Sequence, residues 1–160
     1  MDTDGSDGPQ WLDETEQAVW RQYLTVLRRL PEQLNSSLVQ AHGVTITEYE
    51  VLAHLSEAPD RKLRMTELAE GAILSKSRLS HQITRMERAG LVQREPCESD
   101  GRGFFAVLTE AGWQTLVDAV PTHVADVRRS FVDAVSREQL VALGEALDTV
   151  AKALDRLPTG

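Results

Sequence analysis

Three arginines, Arg78, Arg85 and Arg88, recur through the stretch "KSRLSHQITRMERA", residues 76–89, together with Lys76, Ser77, His81 and Thr84. At about 100° per residue, Leu79, Ile83 and Met86 share one side of a helix, and Ser77, Arg78, His81, Thr84, Arg85 and Arg88 fall on the other. Such a set suits duplex DNA. A guanidinium offers two parallel donors to a guanine edge, while Ser, Thr and His make shorter hydrogen bonds to bases or phosphates. Glu87, on the flank, is the one acid set against these cations. A solvated helix with no partner would intersperse glutamates for support at i,i+4.

The charge of the whole chain runs the other way. The 160 residues carry a formal net charge of -8, yet from Arg61 to Arg94 eight basic residues face three acidic ones. Net acidity opposes sequence-blind adhesion to nucleic acid or anionic membrane, and the segregated basic segment points to one local interface. Other chemistries lack their residues. No GxSxG, HExxH or phosphate loop is present, so no catalytic residue is assigned and no cofactor is expected. His81 has no second His or Cys at i+3 or i+4, and His42, His54 and His123 are scattered, so no metal site is assigned. The single cysteine, Cys97, excludes an intramolecular disulfide and a CxxC site; Glu95 and Glu98 beside it would raise its thiol pKa, which argues against redox sensing. Apolar runs fall far short of the roughly 20 residues that span a bilayer, and the acidic start is unlike a leader, so a soluble, cytoplasmic protein is expected.

Positioning that basic helix requires a scaffold, and the periodicity supplies one. Residues 1–10 read as a disordered tail. From Trp11 to about Ala41, Val19, Tyr23, Val26, Leu30, Leu34 and Leu38 return every three or four residues, with Pro31 expected to kink or split the helix and Gly43 to stop it. Thr47 and Glu50 read as a capping box, with Ile46 and Val51 as its staple, opening a helix at about Glu48. "LRM" suggests a short strand; Thr66 is expected to cap a short helix over "ELAEGAI", and Ser75 the basic one, which Gly90 ends. "LVQRE" and "GFFAVL" form a hairpin with a long tip at 96–103. Thr109 then caps a helix reaching about Ala134, bent at Pro121, and Ser136 with Gln139 opens the last one. The fold class is mainly α with a small β wing: a winged helix-turn-helix lobe whose second helix, about 76–89, lies in the major groove. In the final helix Leu140, Leu143, Leu147, Val150, Leu154 and Leu157 alternate by three and four residues, a seam that suits a partner helix.

"TELAEGAILSKSRLSHQITRMERAGLVQRE" followed by "SDGRGFFAVLTEAG" resembles the MarR family of bacterial transcription regulators, most specifically in Asp100, Gly101 and Arg102 before an apolar strand and "LTEAG". The resemblance spans about Trp11 to Leu157. It implies an intertwined homodimer, with residues 11–42 and 110–157 as the helical dimerisation domain and 47–109 as the DNA-binding lobe. It also implies a palindromic operator, and a pocket for a small aromatic effector whose binding releases DNA. Trp20, Tyr23, Tyr49, His54 and Trp113 are the candidate lining residues. On the wing, Gly101 and Gly103 leave Arg102 room to enter the minor groove, and Asp100 can aim it. Repression is the leading expectation; an activator or dual regulator of the same fold remains open. So does a winged-helix protein-interaction module without DNA binding, which would lack the steep salt dependence of phosphate contacts.

Overall fold

In the computed structural model, residues 9–72, 74–97 and 103–157 are described. The chain divides into two compact units, residues 1–33 and 34–160. Helix α1, Glu14–His42, begins in the first and ends in the second. Its start is fixed by a reciprocal pair: the Asp13 N–H donates to Glu16 Oε2 and the Glu16 N–H to Asp13 Oδ1, both at 2.8 Å. Within the first unit Val19, Trp20, Tyr23, Leu24, Val26 and Leu27 are all exposed. The helix runs through Pro31 without a break, so the expected split does not occur; the ring removes one N–H donor, and the turns on either side still propagate.

The second unit holds the core. After Gly43, at φ +68°, comes α2, Ile46–Glu57; the three-residue turn Pro59–Arg61 leads into β1, Lys62–Arg64, and then α3, Met65–Gly71. The basic helix is α4, Lys76–Arg88; strands β2, Val92–Pro96, and β3, Phe104–Leu108, follow, then α5, Glu110–Val127, a π-helical turn over Arg128–Val132, and α6, Arg137–Leu154. Val51, Leu52, Leu55, Leu68, Leu79, Ile83, Met86, Val92 and Ala106 are almost fully buried in one cluster that joins α2, α3, α4 and the sheet. Full burial of each larger aliphatic side chain contributes about 1.5–3 kcal/mol, so α4 is held by its apolar stripe.

Several local expectations shift. The capping box of α2 is Thr45 with Glu48, not Thr47 with Glu50: the Glu48 N–H donates to Thr45 Oγ1 at 3.2 Å and the Thr45 N–H to Glu48 Oε2 at 2.8 Å. That frame makes Val44 and Tyr49 the flanking pair in place of Ile46 and Val51. Both boxes fit the spacing rule, and the chain uses the earlier one. Thr66 does not cap α3, which starts one residue before it; there the Arg64 N–H donates to Glu67 Oε2 at 3.0 Å. The hairpin is a three-stranded antiparallel sheet of order β1-β3-β2, with Leu63 opposite Ala106 and Arg94 opposite Ala106 on the other side. The helix expected to reach Ala134 leaves α geometry at Val127, after running through Pro121, because the chain widens into the π turn.

Other expectations hold. Ser75 caps α4 by accepting from the Arg78 N–H, Thr109 caps α5 by accepting from the Gly112 N–H, Ser136 and Gln139 open α6, and Gly90 ends α4 at φ +75°. Asp60 and Arg61 are in the left-handed region, at φ 54° and 53°, turning the chain between α2 and β1. Arg61 is anchored there by stacking 4.2 Å over Trp113 and by an ion pair of 3.4 Å with Glu110, which ties the turn to the start of α5.

Candidate nucleic-acid interface

Helix α4 buries Leu79, Ile83 and Met86 and exposes Lys76, Ser77, Arg78, His81, Arg85 and Arg88. No acid lies in its first turn, so its free N–H groups and its cations reinforce one another as a surface for anions. Two shallow hollows adjoin it. One, of about 320 Å³, is lined by Thr47, Leu74, Arg78, His81, Gln82 and Arg85, between α4 and the start of α2. The other, of about 200 Å³, lies toward the strands and takes in Lys76, Ser80 and Arg94 with Met65, Thr66 and Phe104.

Thr84 is set apart from the exposed six. It is half-buried, its hydroxyl donates to the Ser80 carbonyl at 2.9 Å and accepts from Arg94 Nη2 at 3.0 Å. Arg94, on β2, had no assigned role in the sequence. Its Nη1 meets Glu87 Oε2 at 2.7 Å, its Nη2 also reaches the Ser80 carbonyl at 3.1 Å, and its own N–H donates to Glu87 Oε1 at 3.3 Å. The acid within the basic helix is therefore neutralised by a strand arginine that fastens the sheet to α4. The signal was a lone glutamate in a basic helix, seven residues before an arginine on a strand. Arg85 also has a partner: its Nη2 lies 3.1 Å from Glu48 Oε1, in α2.

Asp100, Gly101 and Arg102, expected at the wing tip, lie outside the described residues. The base of the wing is closed by the Cys97 N–H donating to the Gly103 carbonyl at 2.9 Å, and the Cys97 side chain is buried.

The aromatic candidates pack with different partners. Trp20 and Tyr23, in the first unit, contact each other with ring centroids 5.7 Å apart. In the second unit Tyr49 lies over His123 at 4.3 Å, the His54 ring sits against Gly71, and Trp113 lies beneath Arg61. His123 was not among the candidates. Burial pushes its imidazole below the ordinary value, against the opposing pull of Asp126, and burial likewise raises the Tyr49 phenol. Asp126 is buried at 4% exposure; its Oδ1 binds Arg129, whereas its Oδ2 and His123 Nδ1 have no hydrogen-bond partner. Next to that pair, His42 Nε2 is 2.8 Å from Thr122 Oγ1. Among the described residues no group of three or more His, Cys, Asp or Glu could hold a metal ion, and no helix is long and apolar enough to cross a membrane.

Comparison with known proteins matches residues 42–103 to the model of a family described as the MarR family. The crystal structure of AbsC, a MarR family transcriptional regulator from Streptomyces coelicolor, is 50% identical, with a TM-score of 0.86 over 93% of this chain and 100% of that one. Sco3205, a MarR family transcriptional regulator from the same organism solved in complex with DNA, is 43% identical, with a TM-score of 0.88 over 93% of each chain. A homoprotocatechuate degradative operon repressor of Escherichia coli is 28% identical across 69% of this chain and 73% of its own length.

Proposed function

This chain belongs to the MarR family of DNA-binding transcription regulators, and we propose that it is a repressor that binds a palindromic operator as a homodimer, with α4 in the major groove. The observation that carries the docking is the exposed face of α4: Lys76, Arg78, Arg85 and Arg88 point outward, and the flanking acid, Glu87, is bound by Arg94. The residues assigned to the operator are Lys76, Ser77, Arg78, His81, Arg85 and Arg88, with Thr84 serving to orient the helix through Arg94. Asp100 and Arg102, between β2 and β3 in sequence, are assigned to the minor groove on the sequence pattern alone. Residues 47–109 form the DNA-binding lobe of this reading.

The homodimer is supported by α6. This 18-residue helix buries none of its residues, and Leu143, Leu147, Val150 and Leu154 are exposed along one seam. Most helical stability in proteins comes from packing an amphipathic face rather than from propensity, so a partner surface is called for. Val117, Val120 and Val124 add a second exposed stripe on α5. Two-fold symmetry then sets two α4 helices about 34 Å apart, on successive major grooves.

Release by a small aromatic acid completes the reading. A homoprotocatechuate degradative operon repressor is among the relatives, and Tyr49, His54 and Trp113 of the second unit are assigned to such a ligand on the sequence resemblance alone. A ligand acts only through a difference in affinity between the DNA-bound and free forms.

Footprinting on DNA from upstream of the protein's own gene tests the reading. A two-fold symmetric footprint is expected, and Arg78→Ala or Arg88→Ala should weaken binding by about 1–3 kcal/mol with the melting temperature unchanged. A protein that gives no protected site at moderate salt is not this regulator.

A further inference from the structure

We propose that Glu48 is a specificity-determining positioning residue of the DNA interface, holding Gln82 and Arg85 on α4 in one geometry and keeping the Arg85 charge from the phosphates of non-cognate DNA. The proposal rests on the reading of α4 as the recognition helix.

Glu48 lies at the third position of α2, on a different element from the residues it holds. Its Oε2 accepts from the Thr45 N–H at 2.8 Å and from the Thr45 hydroxyl at 2.9 Å. Its Oε1 accepts from Gln82 Nε2 and from Arg85 Nη2, both at 3.1 Å. Both oxygens are thus bonded twice, one side to the end of its own helix and the other to α4. Anchored by Thr45, the carboxylate cannot follow Arg85 outward. Its side chain is 12% exposed, whereas that of Arg85 is 60% exposed. The arginine therefore faces solvent while one of its nitrogens is tethered.

Five N–H donors leave Arg85 with others to offer while Nη2 stays on Glu48. An operator whose base edges suit the held geometry can use them in place. A non-cognate duplex, whose base edges do not match that geometry, is held through its phosphates, and reaching them requires Arg85 to swing free and leave a nearly buried carboxylate without its cation. The same tether that prepares Arg85 and Gln82 for a matching site thus handicaps binding to any other. The residues concerned line one hollow with Thr47, Arg78 and His81, so Glu48 acts at the edge of the proposed contact surface.

The decisive experiment measures affinity across a salt series for two duplexes, one carrying the footprinted site and one with that site scrambled. Glu48→Gln keeps a residue that can complete the capping box but removes the charge that restrains Arg85. Its binding to the scrambled duplex should tighten by about threefold to tenfold at low salt, with the slope of log K against log salt steeper by about 0.9, one added phosphate contact. Affinity for the site itself should not gain, so the ratio of the two falls. Glu50→Gln removes the same charge from an exposed position of α2 and should shift both duplexes alike. In an Arg85→Gln background, Glu48→Gln should leave the slope where it is. The proposal is overturned if Glu48→Gln lowers the melting temperature yet leaves slope and ratio at their wild-type values, or if Glu50→Gln or the Arg85→Gln background reproduces the change. Loss of affinity in Arg88→Ala alongside an unmoved ratio in Glu48→Gln rejects this inference alone. Absence of salt-dependent binding by the wild type to either duplex rejects the recognition-helix reading, and this inference with it.

Discussion

Gly112 shows how a single residue can be readable as a pattern and unreadable as a cause. In the sequence it is the last letter of "LTEAG"; in the structure a Cβ there would lie 2.1 Å from the Leu91 carbonyl oxygen and 2.8 Å from Leu108 Cδ1. Helix α5 passes directly over the turn that follows α4, and only a hydrogen fits between them. Gly112→Ala should therefore cost about 1–3 kcal/mol or more through overpacking, seen as a lower melting temperature. A melting temperature equal to that of the wild type would mean that the turn yields freely. Gly90 is the reverse case. Open space surrounds it, but φ is +75°, so Gly90→Ala should cost about 1–2 kcal/mol from backbone strain alone. Arg94 was visible in the sequence only as a count in a basic segment. Its bonds to Glu87, Ser80 and Thr84 come from residues that β2 and α4 bring together in space, and the seven-residue spacing from Glu87 signals a pair without giving its geometry.

At the scale of elements, the type of each helix and strand followed from periodicity, and the boundaries followed only where one cap was chemically unique. Thr109 had no rival nearby and Ser136 had Gln139 three residues on, whereas Thr45 and Thr47 competed for α2 and both frames fit the spacing rule. The packing of α5 on α2 holds a titrating pair that no periodicity announces: His123 under Tyr49, with Asp126 one turn on. Because burial lowers the His123 pKa, the unfolded chain takes up a proton at this ring at a higher pH than the folded chain. Its neutral form is undisturbed well above the ordinary value of about 6.5, and stability is lost progressively as pH falls through that value toward the lower folded one. His123→Asn should flatten the fall in melting temperature between about pH 7.5 and pH 5.5. Parallel pH profiles for variant and wild type would place the acid sensitivity elsewhere.

Across the whole molecule, the apolar residues that a folded chain would normally bury are distributed unevenly. The second unit closes a core around α2, α3, α4 and the sheet, while α6 buries none of its residues and the first unit exposes Trp20, Leu24 and Leu27. The proposed homodimer makes use of that surface, and it also answers how an acidic protein holds DNA: two basic faces act together. Leu147→Glu with Val150→Glu places two charges in the seam of α6. Sedimentation should then report a monomer at concentrations where the wild type is dimeric, with operator affinity lower by at least about 100-fold as the avidity of two half-sites is lost. A variant that stays dimeric and binds normally would assign the seam to another role.

The sequence by itself determined the element order, the apolar stripe of α4 and the basic face opposite it, because helical period and residue type are local quantities that neighbours along the chain suffice to express. It also determined which family the chain resembles. Tertiary structure alone decided which of those cations are tethered. Arg85 on Glu48 and Glu87 on Arg94 are contacts of 37 and seven residues' separation, set by how α2 and β2 pack against α4. An ion pair needs its two atoms within a few ångströms, and that distance is fixed by the fold.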